Sequence, residues 1–278
     1  MISEYINKYK NKKFFFFLLK IAFLCISTVI SVIFSITAYF RNIGIGGEKY
    51  KAIKKYKGIN SGKRCFIIAM GPSLLEKDLI RLKNEYTFGM NSICTLYESI
   101  DFKPTYYGIQ DKYVFDDLKQ MLYEYYLGND RVFISDRIAR NKKIDPKWTV
   151  FPLNYAYNAY ARWFKNDYKV KASDDAFKVV YDGFSITISL IQIAIYMGFC
   201  EIYLLGADCS FDKANLHFGN YTGIIDPTLD TAYQRNIAGY KGVKELAESK
   251  GVKIYNATRG GCLEVFERVS IDEVLSRG

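Results

Sequence analysis

The sequence predicts an α/β domain, with a mainly parallel sheet flanked by helices, preceded by one N-terminal transmembrane helix. Three observations predict it. Twenty residues from Ile21 to Phe40 carry no charge. Beyond residue 62, short apolar runs alternate with longer amphipathic stretches. Charge is also segregated. Residues 1–58 hold eleven of the 39 Lys and Arg against two acids, Glu4 and Glu48, a net +9, whereas residues 59–278 hold 28 basic and 27 acidic residues, a net +1.

The chain therefore divides into a basic tail (1–13), an apolar anchor (14–40), a basic Gly-containing juxtamembrane linker (41–61) and a single domain (62–278). At about 1.5 Å per residue, twenty helical residues span about 30 Å, the thickness of a hydrocarbon core. A cleaved signal peptide is the alternative, but the segment Ser35–Phe40 is a poor cleavage site. Lys8, Lys10, Lys12 and Lys13 precede the span; Arg41, Lys49, Lys51, Lys54, Lys55 and Lys57 follow it. The richer later flank favours a cytoplasmic domain on an inner membrane.

Strands are predicted at 65–69, 86–90, 105–109, 131–135, 201–205 and 252–255. Leu75, Leu79 and Leu82 mark a helix after the first strand. The apolar stretch 184–197 is long enough for a buried helix, and 229–250 reads as a helix with Lys and Glu outward. Strand–helix–strand alternation gives a Rossmann-like, mainly parallel sheet. Ligands of such sheets bind beyond the strands' carboxyl ends, so the loops after Ala69, Met90, Ile109 and Leu205 are the candidates.

Two function classes are disfavoured. A duplex-binding domain would carry the basic excess itself; here the excess flanks the apolar segment and suits anionic lipid, so no nucleic-acid partner is expected. The six cysteines form no CxxC pair and there is one histidine, which argues against a zinc site. Free, mostly buried thiols in a reducing compartment are the expectation.

Five loops could carry chemistry. Gly71-Pro72-Ser73 follows the first strand: Gly71 permits close backbone approach, Pro72 fits a helix start, and Ser73 either caps the helix or donates to a phosphate. Asn91-Ser92 follows the second strand, as base or ribose reader or as turn. Gln110 and Asp111 follow the third with the same ambiguity. Gly183, Ser185 and Thr187 open the apolar helix and suit an anion or a simple hydroxyl cap. Asp208 follows Gly206-Ala207, and nine residues on stands His217 in a polar loop, placed as a general base with an unperturbed pKa near 6.5. In Tyr255–Gly261, Arg259 either neutralises phosphate or carboxylate or is solvated. P-loop, GxSxG, HExxH and DxD patterns are all missing from the sequence.

The segments IIAMGPSLLEKDLIRL, GMNS, GFCEIYLLGAD and GVKIYNATRGGCLEVFERVSIDEVL, in that order, resemble one superfamily across about residues 62–277. It includes bacterial sialyltransferases of the Campylobacter type, the central domain of the motility accessory factors that glycosylate flagellin, and a domain named for archaeal hydroxymethylpterin diphosphokinase. The C-terminal segment looks more like the last two. The sialyltransferase resemblance implies metal-independent, inverting transfer from a CMP-activated nonulosonic acid. Gly71, Pro72 and Ser73 would then hold the nucleotide phosphate region and Asn91, beside Ser92, the cytidine monophosphate. Gln110 would stand where those enzymes use Asn. Ser185 and Thr187 would approach the phosphate or sugar carboxylate, His217 would deprotonate the acceptor, and Tyr181 would assist the leaving phosphate. Met70 stands where those enzymes place a polar Asn.

The leading expectation is a membrane-anchored glycosyltransferase with a lipid bilayer, a CMP-sugar donor and a glycan or lipid-linked acceptor as partners, and no required cofactor. The diphosphokinase resemblance gives the alternative, diphosphate transfer from ATP to a pterin-like alcohol. That would need magnesium and carboxylates, which Asp111, Asp116, Asp117 and Asp208 could supply. An inactive binding module in a membrane assembly is the third reading.

Overall fold

The structure is a computed structural model and describes residues 12–164, 168–210 and 229–276. Its first element is helix α1, Lys13–Asn42, the one described helix long and apolar enough to cross a membrane. A 3-10 helix over Glu48–Tyr56 follows. The sheet then begins with β1 (Arg64–Ile68), β2 (Thr87–Met90), β3 (Tyr106–Ile109), β4 (Val132–Ser135) and β5 (Thr149–Phe151), and closes with β8 (Glu201–Leu205), β9 (Lys253–Asn256) and β10 (Glu267–Arg268). A separate ribbon pairs β6 (Leu153–Asn154) with β7 (Val180–Tyr181). The helices are α2 (Glu76–Arg81), α3 (Lys112–Tyr126), α4 (Asp136–Ala139), α5 (Ala159–Phe164), α6 (Ile186–Tyr196), α7 (Ala232–Ser249) and α8 (Ile271–Ser276).

The eight strands run in the order β10-β9-β8-β1-β2-β3-β4-β5, and every adjacent pair is parallel. The chain builds outward from β1 to β5, then crosses back to place β8 on the other side of β1. The strand order therefore reverses between β1 and β8, where the two sets of connections part and leave a crevice. Cys65, Phe66, Ile67 and Ile68 of β1 are fully buried, as a central parallel strand covered on both faces requires.

Helix α6 is buried at all eleven positions, which is why its sequence lacks a polar face. It lies directly on the sheet: a Cβ on Gly108 of β3 would come 2.6 Å from Leu190. Burying Leu190, Ile191 and Ile193 each contributes about 2 kcal/mol. Helix α7 turns Lys241, Glu245 and Glu248 outward.

Three expectations change. The segment 41–61 is no free linker. Tyr50, Ile53 and Tyr56 on the buried face of its 3-10 helix enter the core. Tyr50 donates to Asp136 Oδ2 at 2.6 Å and Tyr56 to the Asp130 carbonyl at 2.8 Å. The helix after Gly71-Pro72-Ser73 starts only at Glu76, with Leu75 as its N-cap, and is six residues long. Of the described thiols, all free, only Cys65 and Cys94 are buried, while Cys25 and Cys262 are exposed.

Candidate active site at the β1–β8 crevice

The exits of β1 and β8 stay paired beyond the strands. Ala69 N–H donates to Leu205 O, and Gly71 N–H donates to Gly206 O, both at 2.8 Å. Gly71 is required here: a Cβ would strike the Asp208 carboxylate and the Gly206 carbonyl. Asp208 is held from the two neighbouring exits, those of β1 and β9. Ser73 Oγ donates to its Oδ2 at 2.8 Å, Cys262 N–H donates to its carbonyl at 2.6 Å, and Thr258 Oγ1 accepts from the preceding Ala207 N–H at 3.1 Å. Gly261 at φ 76 lies against the Asp208 backbone, where no Cβ fits. Ser73 thus caps no helix; its hydroxyl aligns the carboxylate. Pro72, between them, is half-buried.

On the other side of β1, β2 ends at Met90, and Asn91 opens the 3-10 helix that follows (Asn91–Leu96). Asn91 sits at φ 46, and its carbonyl accepts from Tyr107 Oη at 2.6 Å. Ser92 is buried, and its carbonyl accepts from Thr95. Ser185 caps α6, its Oγ accepting from Thr187 N–H at 3.3 Å, so the hydroxyl-cap reading of the Gly183–Thr187 turn holds for Ser185. Thr187 Oγ1 reaches Met90 Sδ at 3.4 Å. Gly183 packs beneath Ile188, leaving no room for a side chain.

Tyr240 of α7 is buried close to Thr187, Cys209 and Asp208, and burial pushes its hydroxyl pKa far up. Ser73 bonded to Asp208 at the β1 and β8 exits, and Thr187 bonded to Met90 at the β2 exit, thus stand at three neighbouring strand ends.

Asn91, Phe184 (φ 71) and Cys209 (φ 53) are the non-glycine residues with positive φ among those described. Each lies just beyond a strand exit, of β2, β7 and β8 respectively. Left-handed backbone costs about 1 kcal/mol or more per residue and tends to mark functional sites. Beyond Asp208 a cavity of about 420 Å³ opens between Cys209, Cys262, Asp230, Tyr233 and Gln234, a size suited to a small ligand. Burial, with Asp208 nearby, pushes the Cys209 thiol up to about 12, so it stays protonated at neutral pH.

Gln110 at the exit of β3 is clamped. Its Oε1 accepts from Ser189 at 2.6 Å, and its Nε2 donates to Asp182 Oδ1 at 3.4 Å. Asp111 proves to be the N-cap of α3, accepting from Tyr113 and Val114 N–H at 2.7 and 3.3 Å. Asp116 pairs with Lys142. Asp111 and Asp208 follow β3 and β8, which two strands separate, so about 14 Å lies between those exits at 4.8 Å per strand. No group of three potential metal ligands exists among the described residues. The four carboxylates considered for magnesium therefore do not assemble.

Arg259 also departs from the phosphate role weighed for it. It makes a two-pronged ion pair with buried Asp78 (2.6 and 2.8 Å) and reaches Asp272. Two other guanidinium groups approach the site: Arg162 and Arg235 lie 5.4 and 5.8 Å from the ring centre of Phe184. Neither was legible, because each reaches the site through the fold and not through a strand-exit motif. Asp182 and Tyr240 were missed for the same reason. Tyr181 is half-buried on β7, its ring edge-on to Tyr157 at 5.6 Å, its backbone held by Gln192. His217 lies outside the described residues.

The fold defines an α/β protein of the doubly wound kind, with the candidate site at the strand-order reversal. Residues 38–214 match the family described as 6-hydroxymethylpterin diphosphokinase MptE-like, and the chain belongs to that family. No curated protein matches its sequence. Among solved structures, it is similar to the sialyltransferase CstII from Campylobacter jejuni in complex with cytidine-5'-monophosphate, at 15% identity and a TM-score of 0.40, over 76% of this chain and 86% of that one. It is also similar to the MAf glycosyltransferase from Magnetospirillum magneticum AMB-1, at 15% identity and a TM-score of 0.42; 84% of this chain is covered but only 40% of that one. No residue role passes to this chain from either.

Proposed function

We propose that the chain is a membrane-associated glycosyltransferase that holds a CMP-activated, nonulosonic-type sugar in the β1–β8 crevice and transfers the sugar to a cell-envelope glycan without a metal ion. The observation that carries the proposal is the junction at Asp208. Loops from β1, β8 and β9 meet there, and at the next exit, that of β2, Thr187 reaches Met90 beside Asn91.

In this reading the bare backbone at Gly71 lets the donor close in, and Asn91 reads the nucleoside. Arg162 and Arg235 offset the phosphate charge from the Phe184 turn. The acceptor oxygen attacks the anomeric carbon, its proton passes to His217, and the bond to the phosphate oxygen breaks, releasing CMP. Tyr181 would steady the departing phosphate. Positioning and electrostatics carry such a step. The domain faces the cytoplasm, where activated sugars are made, and α1 holds it at the bilayer.

A second reading has a specific support, the family match: diphosphate transfer from ATP to a pterin-like alcohol. It would need magnesium. Asp182 and Asp208 are two carboxylates at the crevice, and each already accepts a hydrogen bond, from Gln110 and Ser73 respectively. The binding-module reading shares the crevice but predicts no turnover.

Product analysis separates them. Full-length protein in vesicles, given a CMP-activated nonulosonate and envelope glycan in EDTA, is expected to release CMP, and His217→Ala to slow release at least a hundredfold. AMP release from ATP, magnesium and a hydroxymethylpterin, with no CMP release, would establish the second reading. Near-normal CMP release by His217→Ala would remove His217 as base.

A further inference from the structure

Helix α1 is not a free rod leading to the domain. Its buried and half-buried positions include Phe16, Phe23, Ser27, Ser31, Phe34 and Arg41. At 100° per residue these fall within one stripe about 80° wide, which half-buried Leu19 extends to about 120°. The stripe lies on the body throughout. Phe16 and Phe23 pack edge-on against Phe164 of α5 at 5.9 and 5.4 Å. Ser31 accepts from Asn154 Nδ2 at 3.4 Å. Arg41 donates to the Lys178 carbonyl and lies over the rings of Phe34 and Tyr50.

The docked length decides what a membrane can do with this helix. From Phe16 to Arg41 is about 37 Å along the axis, longer than the roughly 30 Å hydrocarbon core. A helix crossing that core would carry the segment from Asn154 to Phe164 into it. That segment holds irregular backbone, Asn158 bonded to the Asp182 carbonyl, and Arg162 beside Phe184. Hydrocarbon tolerates neither loose polar backbone nor a charge at low cost. Asp182 and Phe184 wall the crevice, so the candidate site would be drawn in as well.

The opposite side of α1 is apolar from end to end: Leu18, Val32 and Tyr39 are 45, 51 and 63% exposed, and Cys25 is exposed between them. Lys12 and Lys13 stand at one end, and Lys49, Lys51 and Lys54 just beyond the other. An apolar face with basic ends matches a leaflet of anionic lipid.

We propose that α1 lies along one leaflet, its docked stripe on the domain and its opposite face in the acyl chains, so that the chain sits on the membrane without crossing it. The domain supplies the polar side that an ordinary surface helix carries itself. The site wall then rests beside the headgroups, one hydrogen bond from the residue that grips the helix: Asp182 N–H donates to the Asn154 carbonyl at 3.3 Å. The proposal stands on the docking of α1 alone and is independent of which group the site transfers.

Spin-label depth tests it. Leu18→Cys, native Cys25, Val32→Cys and Tyr39→Cys share the outer face at intervals of seven residues. Each is labelled singly in the full-length chain, the other accessible cysteines being Ser, in vesicles of phosphatidylethanolamine and phosphatidylglycerol. Oxygen and nickel-chelate collision rates report depth. Four similar depths, all in the acyl region of one leaflet, are expected. Leu18 and Tyr39 are about 31 Å apart along the axis; labels there near opposite surfaces, with Cys25 and Val32 deepest, would overturn the proposal. Protease-cleavable tags ahead of residue 1 and after residue 278 add a second reading: cleavage of both from one side supports it, and from opposite sides overturns it.

Discussion

Asp78 and Arg259 show how a motif residue can serve the fold and not the chemistry. Arg259 sits at a strand exit beside paired glycines, where a phosphate ligand would also sit, and from sequence the two uses look alike. The structure separates them because Asp78, 1% exposed in α2, takes its close two-pronged pair from Arg259, with Arg81 farther off at 3.8 Å. Arg259→Ala is expected to destabilise the chain by about 3 kcal/mol, the cost of stranding a buried carboxylate. Nucleotide affinity of the variant that remains folded should be unchanged. Chemical denaturation checks the first, and calorimetry below the transition the second. Asp111 has the same lesson: its carboxylate caps α3, so it was visible as a polar strand-exit residue but not as a cap.

At the scale of elements, the six longer strands and helices α6 and α7 were legible within a few residues: the strands as short apolar runs, α6 by the length of its apolar stretch and α7 by its charged outer side. Strands β5, β6, β7 and β10 were not. They are two or three residues long, too short for any pattern, and depend on neighbours to form. The 3-10 helix at Glu48–Tyr56 was hidden differently: its lysines dominate the composition, while Tyr50, Ile53 and Tyr56 carry the packing. A chain beginning at Gly47 is expected to fold, whereas one beginning at Gly62 loses three buried side chains worth about 2 kcal/mol each. Circular dichroism melts of the two truncations check this, and equal stability would return residues 47–61 to the status of a linker.

For the whole molecule, the site was legible as a place and only partly as a set of residues. Parallel strands send their exits to one edge, so Gly71, Asn91 and Asp208 were found from strand ends alone. The guanidinium groups near Phe184 and the buried Tyr240 come from α5 and α7, distant in sequence, and needed the fold. In the proposed function a nucleotide binds where the strand order reverses between β1 and β8. Titration calorimetry with CMP in EDTA, on the wild type and on Gly71→Ala shown by circular dichroism to be folded, tests it most directly. The account predicts measurable binding by the wild type and at least a tenfold loss, about 1.4 kcal/mol, in the variant, whose added methyl meets Asp208. Equal affinity in both, or no binding of CMP by the wild type, would contradict it.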